Sequence, residues 1–178
     1  MSLAKDGKLL ALRETSEDKS HARTLTVFIE ELFKETGLPL RDLDAVAVSK
    51  GPGSYTGLRI GVSTAKGLCY SLNKPLIGIS TLKAMASGRL LASPANAALL
   101  CPMIDARRME VYASVFDSSL NEVKSTEAVV IDSSSYEGLL RKGKMLFFGD
   151  GAAKCREALG QNANALFDLE FQCSARHI

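Results

Sequence analysis

Short apolar runs and amphipathic stretches alternate along this chain. Runs at residues 9–12, 45–48, 76–79 and 97–104 are bounded by Gly, Pro or charged residues and read as strands. The first belongs to a hairpin over residues 1–14, because Asp6-Gly7 is a dipeptide that tolerates positive φ at both turn positions. A hairpin alone is marginal in water, so this one needs a further strand beside it. After a polar loop, Ser20 is the expected cap of a helix to Thr36. Leu25, Phe28, Ile29, Leu32 and Phe33 fall on one face of that helix, and Gly37 and Pro39 stop it. The run at 45–48 is expected to be a buried strand. It leads into Gly51-Pro52-Gly53, after which Ser54 or Thr56 caps a second helix running to Leu72.

A buried strand at 76–79 follows, then a short helix at 82–91 capped by Ser80 or Thr81, and a loop at 93–96. Beyond Asp105 the pattern changes. Strands are expected at 110–116 and 128–131, a helix at 133–140 and a strand at 145–148. Gly149-Asp150-Gly151 then opens a helix to Leu159, and a last strand is expected at 167–171. The change at Asp105 is the expected boundary between an N-terminal lobe, 1–105, and a C-terminal lobe, 106–178.

At 178 residues and 46% hydrophobic, the chain can bury a core in one large domain or two small lobes. Its formal charge is only +2 and it has no dense Lys/Arg run, which argues against strong sequence-independent nucleic-acid binding. Cys69, Cys101, Cys155 and Cys173 form no C-x-x-C pair. Reduced, buried thiols and a cytoplasmic setting are the expectation. No apolar run reaches the roughly 18 residues of a membrane span, and the first residues lack a signal peptide's apolar core.

Strand, glycine turn and helix can aim free N–H groups at an anion, or can simply pack a helix on a sheet. Enzyme readings of Gly51-Pro52-Gly53-Ser54-Tyr55-Thr56-Gly57 each fail on a residue. A P-loop needs Lys after its last Gly, and Leu58 stands there. The dinucleotide fingerprint has one residue fewer between its glycines and an acidic residue beyond the next strand. A nucleophile elbow needs G-x-S-x-G. Gly57, Gly61 and Ala65 recur every fourth residue and make a stripe of minimal side chains, which reads as a packing face or a protein interface before a ligand site. Arg59 lies off that stripe and could pair with a carboxylate. Asp105, Arg107, Arg108 and Glu110 cluster at a strand end. Together with Arg59 and Asp150 they read as an inter-lobe salt-bridge knot or a ligand cluster. His21 and His177 are isolated, with no metal-ligand spacing.

At Ser49-Lys-Gly-Pro-Gly-Ser-Tyr-Thr-Gly-Leu-Arg-Ile-Gly61 the chain closely resembles the TsaB (YeaZ) family. Ala65-Lys-Gly-Leu68, Ile79-Ser-Thr-Leu82, Ile104-Asp-Ala-Arg107, Glu110-Val-Tyr112 and Ser174-Ala-Arg-His177 agree with it too. The resemblance implies an α/β, actin-like (ASKHA, ribonuclease H-like) fold of two lobes. It implies a non-catalytic scaffold subunit in the synthesis of N6-threonylcarbamoyladenosine at position 37 of tRNA. The partners implied are TsaD, the catalytic subunit, and TsaE, an ATPase, with a homodimer in their absence and tRNA reached through the complex. No cofactor of its own is implied, and nucleotide would bind only at a composite site. The implied partner face is the pair of helices carrying Leu25, Phe28, Ile29 and Leu32, and Tyr55, Gly57, Leu58, Gly61 and Ala65.

Family members open with a strand ahead of the hairpin and continue past Ser-Ala-Arg-His into a helix, so the chain is expected to be shortened at both ends. A competing reading is an ASKHA-type phosphotransferase or ATPase, which needs an Asp-Gly-rich first turn. A third is a glycoprotease-like metallopeptidase, which needs a ligand cluster.

Overall fold

The computed structural model describes residues 1–15, 21–92 and 97–178. The expected cap at Ser20 and the expected loop at 93–96 lie outside them. The chain divides into two compact units, Met1–Ile79 with Ser174–Ile178, and Ser80–Cys173. The boundary expected near Asp105 falls inside the second unit, at the turn of a hairpin.

Unit 1 begins with strands β1 (Ser2–Lys5) and β2 (Lys8–Leu12), paired antiparallel. Asp6 and Gly7 both take positive φ, 52° and 73°, as the two-residue turn requires. Helix α1 (His21–Thr36) follows, with Leu32 fully buried on its apolar face. Arg13, which follows β2, bridges Glu31 and Glu35 one helical turn apart on α1. Gly37, at φ 66°, ends the helix. Strand β3 (Val46–Ser49), helix α2 (Tyr55–Leu72) and strand β4 (Leu76–Ile79) come next. β3 and β4 pair in parallel. Of the two caps expected for α2, Ser54 is the one used: its Oγ accepts from the Gly57 N–H at 3.3 Å. Asn73, in the left-handed region, closes the other end.

The strands at 45–48 and 76–79 form where expected but are not the buried strands foreseen. Ala47 and Leu76 are exposed, and Ile77 is 45% exposed. A pair of strands has neighbours on few sides, and apolar sequence alone does not supply cover. Short 3-10 turns at Leu40–Asp42 and Ala175–His177 complete the unit. The second returns to β1, where the Ser2 hydroxyl donates to Ala175 O at 2.9 Å.

Unit 2 holds a five-stranded sheet. Helix α3 (Thr81–Ala92) precedes β5 (Leu99–Asp105), β6 (Glu110–Asp117) and β7 (Glu122–Val130). The Ser80 Oγ takes the Lys83 N–H and so caps α3. A single helical turn, α4 (Glu137–Leu140), leads to β8 (Met145–Phe148), then helix α5 (Ala152–Leu159) and β9 (Ala165–Asp168). The sheet order is β7-β6-β5-β8-β9, with β6 antiparallel to its neighbours and β5, β8 and β9 mutually parallel. Alternation along the strands divides the core in two. Cys101, Met103, Met145 and Phe147 face α4 and α5, while Leu100, Leu146 and Phe148 face α3. Among the described residues both buried apolar clusters belong to this unit.

Three expectations shift here. β7 starts at Glu122, six residues ahead of the apolar run at 128–131. It is an edge strand, so its first half is polar and shows no apolar run. The helix expected at 133–140 shrinks to its last turn, because Asp132 Oδ1 collects the N–H of Ser134 and the hydroxyls of Ser134 and Ser135 in a local turn. β9 ends at Asp168, which accepts the N–H groups of Glu170 and Phe171 and turns the chain away.

Candidate functional site

The glycine turn after β3 is filled by the protein's own side chains. Gly51 stands at φ 108°, a conformation that suits glycine, and a Cβ there would lie 3.4 Å from Leu58 Cδ1. Leu58 thus folds back over Gly51 and Gly53. The Gly57 N–H is taken by Ser54, and the Leu58 N–H donates to Ser54 O at 2.9 Å. Gly51-Pro52 is a cis peptide. Within the turn, the N–H groups of Gly57 and Leu58 are thus engaged by Ser54.

Helix α2 sorts its residues by face. Ala65 is buried, and the absent Cβ of Gly61 would sit 3.8 Å from Val48 of β3, so the small-residue stripe faces the unit's own sheet. Leu25, Ile29 and Leu32 of α1 line one groove with Gly61 and Ala65. Phe28 is partly buried on the same helix. At roughly 100° per residue, Tyr55, Arg59, Ser63, Lys66 and Tyr70 fall on the opposite side of α2 from the stripe. All five are exposed, Tyr55 at 75% and Tyr70 at 92%. The Arg59 guanidinium lies 5.4 Å from the centre of the Tyr55 ring, in cation–π geometry. Thr56 is exposed beside them. Arg59 stands on this face of α2, apart from the charged cluster expected for it, and Lys66 and Tyr70 are not among the candidate site residues expected from the sequence. The available signal was the i, i+4, i+8, i+11, i+15 spacing of long polar and aromatic residues.

Asp105, Arg107, Glu110 and Asp150 do come together, within unit 2. The Asp105 N–H donates to Asp150 Oδ1 at 3.0 Å, and the Arg107 N–H donates to Asp105 Oδ1 at 2.6 Å. Lys154 of α5 bonds both Asp105 Oδ1 and Glu110 O, each at 2.7 Å. Arg107 and Arg108 stand at φ 73° and 46°, which makes the β5–β6 connection a tight turn with both central residues left-handed. This network fastens that hairpin end to α5. Lys154 was missed because it lies 49 residues from Asp105. Arg59 belongs to unit 1, so the charged cluster foreseen divides between the two units. Among the described residues no group of three His, Cys, Asp or Glu is arranged to hold a metal ion.

The network gives a pH prediction. Lys154 first, and then the Arg107 N–H, hold the Asp105 carboxyl below the usual carboxylate range. A carboxyl lowered in the folded state stabilises above its ordinary value, and that contribution is lost as pH falls through the folded value. Asp105→Asn should therefore weaken the fall in stability below about pH 4. Asp105 is 48% exposed, so the loss at pH 7 should stay under about 1 kcal/mol. Urea titrations across pH check both.

Residues 9–168 match the family model described as TsaD: tRNA N6-adenosine threonylcarbamoyltransferase. The chain is 33% identical over 137 residues to the tRNA threonylcarbamoyladenosine biosynthesis protein TsaB of Escherichia coli, covering 75% of this chain and 58% of that one. To TsaB of Bacillus subtilis it is 34% identical over 117 residues, 65% of this chain and 49% of that one. The chain thus spans about half the length of these curated relatives. The solved structure of YeaZ from Pseudomonas aeruginosa superposes with a TM-score of 0.78 at 23% identity, over 99% of this chain and 81% of that chain. That likeness carries the fold, which is α/β of the actin-like ASKHA type. The chain belongs to the TsaD family, and within it to the TsaB (YeaZ) group.

Proposed function

We propose that this chain is a non-catalytic scaffold subunit in the formation of N6-threonylcarbamoyladenosine at position 37 of tRNA, where it pairs with a TsaD-type catalytic subunit. The observation that carries this reading is the similarity to TsaB proteins over most of the chain. A TsaE-type ATPase would join the pair, tRNA would be reached through the assembly, and the setting would be the cytoplasm. Without partners the chain would form a homodimer through the same face. The reading uses the outer face of α2, from Tyr55 through Arg59 to Tyr70, as the centre of the contact. Tyr and Arg are the residue types that dominate protein interfaces.

For the phosphotransferase alternative, the N–H groups of Gly57 and Leu58 in the glycine turn are already engaged. Any nucleotide would need a composite site built with a partner.

The test is co-expression with the TsaD-type protein of the same genome. The pair should co-purify, and the chain should restore modified tRNA in cells depleted of their own TsaB. The chain alone should not turn over ATP. Failure to form the pair, or an ATPase activity that survives repurification and is lost in Asp150→Asn, would overturn the scaffold reading.

A further inference from the structure

Charge is spread unevenly along this chain. Between Asp44 and Asp105 the sequence holds Lys50, Arg59, Lys66, Lys74, Lys83 and Arg89 and no acidic residue. Two of these cations, Arg59 and Lys66, are exposed on the outer face of α2. No carboxylate among the described residues pairs with either. The acids of the neighbouring helix α1 are met elsewhere. Arg13 bridges Glu31 and Glu35, and Glu30 stands one turn from Lys34.

The exposed face reads Tyr55, Arg59, Lys66, Tyr70. At roughly 100° per residue the four lie within about 60° of one another. Along the axis the two cations are about 10.5 Å apart and the two rings about 22 Å. The order is a palindrome of ring, cation, cation, ring, centred between Val62 and Ser63.

A second copy of this face therefore matches its rings and opposes its charges. Paired antiparallel, Tyr55 of one copy meets Tyr70 of the other, and Arg59 meets Lys66. Paired parallel, each cation meets its own equivalent. Like charges brought together across an interface oppose association. A nucleic acid is a poor match as well, because two cations neutralise two phosphates at most. A helix with two carboxylates two turns apart, and an apolar group one turn beyond each, meets all four residues.

We propose that the outer face of α2 selects an acidic helix of its partner over a second copy of this chain. The inference rests on the pairing with a TsaD-type subunit proposed above, and names the chemistry that the subunit brings to this face. The homodimer through the same face is then the weaker assembly, held by its rings against its charges.

Opposite responses to salt test this on the intact chain. From about 50 to about 500 mM NaCl, the Kd for the TsaD-type protein of the same genome should rise about tenfold, while the chain's own dimer should tighten at least about threefold, because screening weakens attraction in one and repulsion in the other. Analytical ultracentrifugation reads both. Arg59→Glu with Lys66→Glu changes two exposed side chains, so circular dichroism should not change. This variant should bind the TsaD-type protein at least about tenfold more weakly. Mixed with the parent at the lower salt, it should dimerise about tenfold more tightly than the parent does alone, since Arg59 and Lys66 then face carboxylates.

A pair with the TsaD-type protein that responds to neither salt nor charge reversal would overturn the proposal and leave the pairing itself intact. A parent dimer that weakens with salt would overturn it too. So would tRNA retained by the isolated chain and released by the variant, which would make phosphate the occupant. If no pair with the TsaD-type protein forms at any salt, the proposed function fails. The mixture then decides the charge selection, and a mixed dimer no tighter than the parent's own overturns it. If the charge-reversed variant loses its fold, Arg59→Gln with Lys66→Gln takes its place, and should tighten the dimer while weakening the pair.

Discussion

Gly149→Ala is expected to destabilise the protein by about 2–6 kcal/mol, the sum of a strained backbone and an overpacked seam. Gly149 stands at φ 99°, outside the range that a residue with a Cβ adopts readily. A Cβ there would lie 2.4 Å from Met103 O and 2.5 Å from Met85 Cε. Met85 Cε is the end of a flexible side chain and can move aside. Met103 O belongs to the central strand β5 and already accepts the Gly151 N–H at 3.2 Å. It can yield only by displacing β5, between two buried apolar clusters. Gly67→Ala provides the opposite sign. Nothing lies within 4 Å of an added Cβ there, and the position is the interior of α2. Filling it should stabilise by about 0.5–1 kcal/mol through lost unfolded-state freedom. Urea denaturation of both variants makes the comparison, and a Gly149→Ala protein as stable as its parent would show that the β5–α5 seam is looser than these distances require.

The pair Tyr55→Ala with Tyr70→Ala is expected to weaken a complex with a TsaD-type partner by about ten- to a hundredfold, the worth of one or two interface anchors. This rests on the proposed function and on the exposure of both rings, which stand at either end of one helix face. Stability should change by less than about 0.5 kcal/mol, because neither side chain is buried in the isolated chain. Calorimetric titration measures the first and thermal unfolding the second. Undiminished affinity would remove the outer face of α2 from the interface while leaving family membership untouched. Loss of the fold would mean that these rings pack against something in solution.

Local chemistry made much of unit 1 legible. Asp6-Gly7 demanded its turn, Ser54 its cap and Gly37 its stop, and each acts within four residues of itself. Unit 2 was harder because its edge strand, β7, is written in Glu, Lys, Ser and Thr and shows no apolar run over its first half. The periodicity of α2 gave a stripe of small residues but not the direction it faces. The contact between Gly61 and Val48 supplies that direction, and turns attention to the opposite, tyrosine-bearing side. Lys154 illustrates the same limit for charge: a lysine in a short helix has no mark that ties it to an aspartate on a distant strand.

Unit 1 draws residues from both sides of unit 2, and this orders events during synthesis. The second unit is one continuous stretch, Ser80–Cys173, so a ribosome delivers all of its sheet before Ser174–Ile178 emerges. The first unit must wait for Ser174–Ile178, whose Ala175 takes the Ser2 hydroxyl and whose Arg176 reaches Glu14. The hairpin of unit 1 is therefore finished only after the whole of unit 2 has been made, and until then it depends on chaperones or partners.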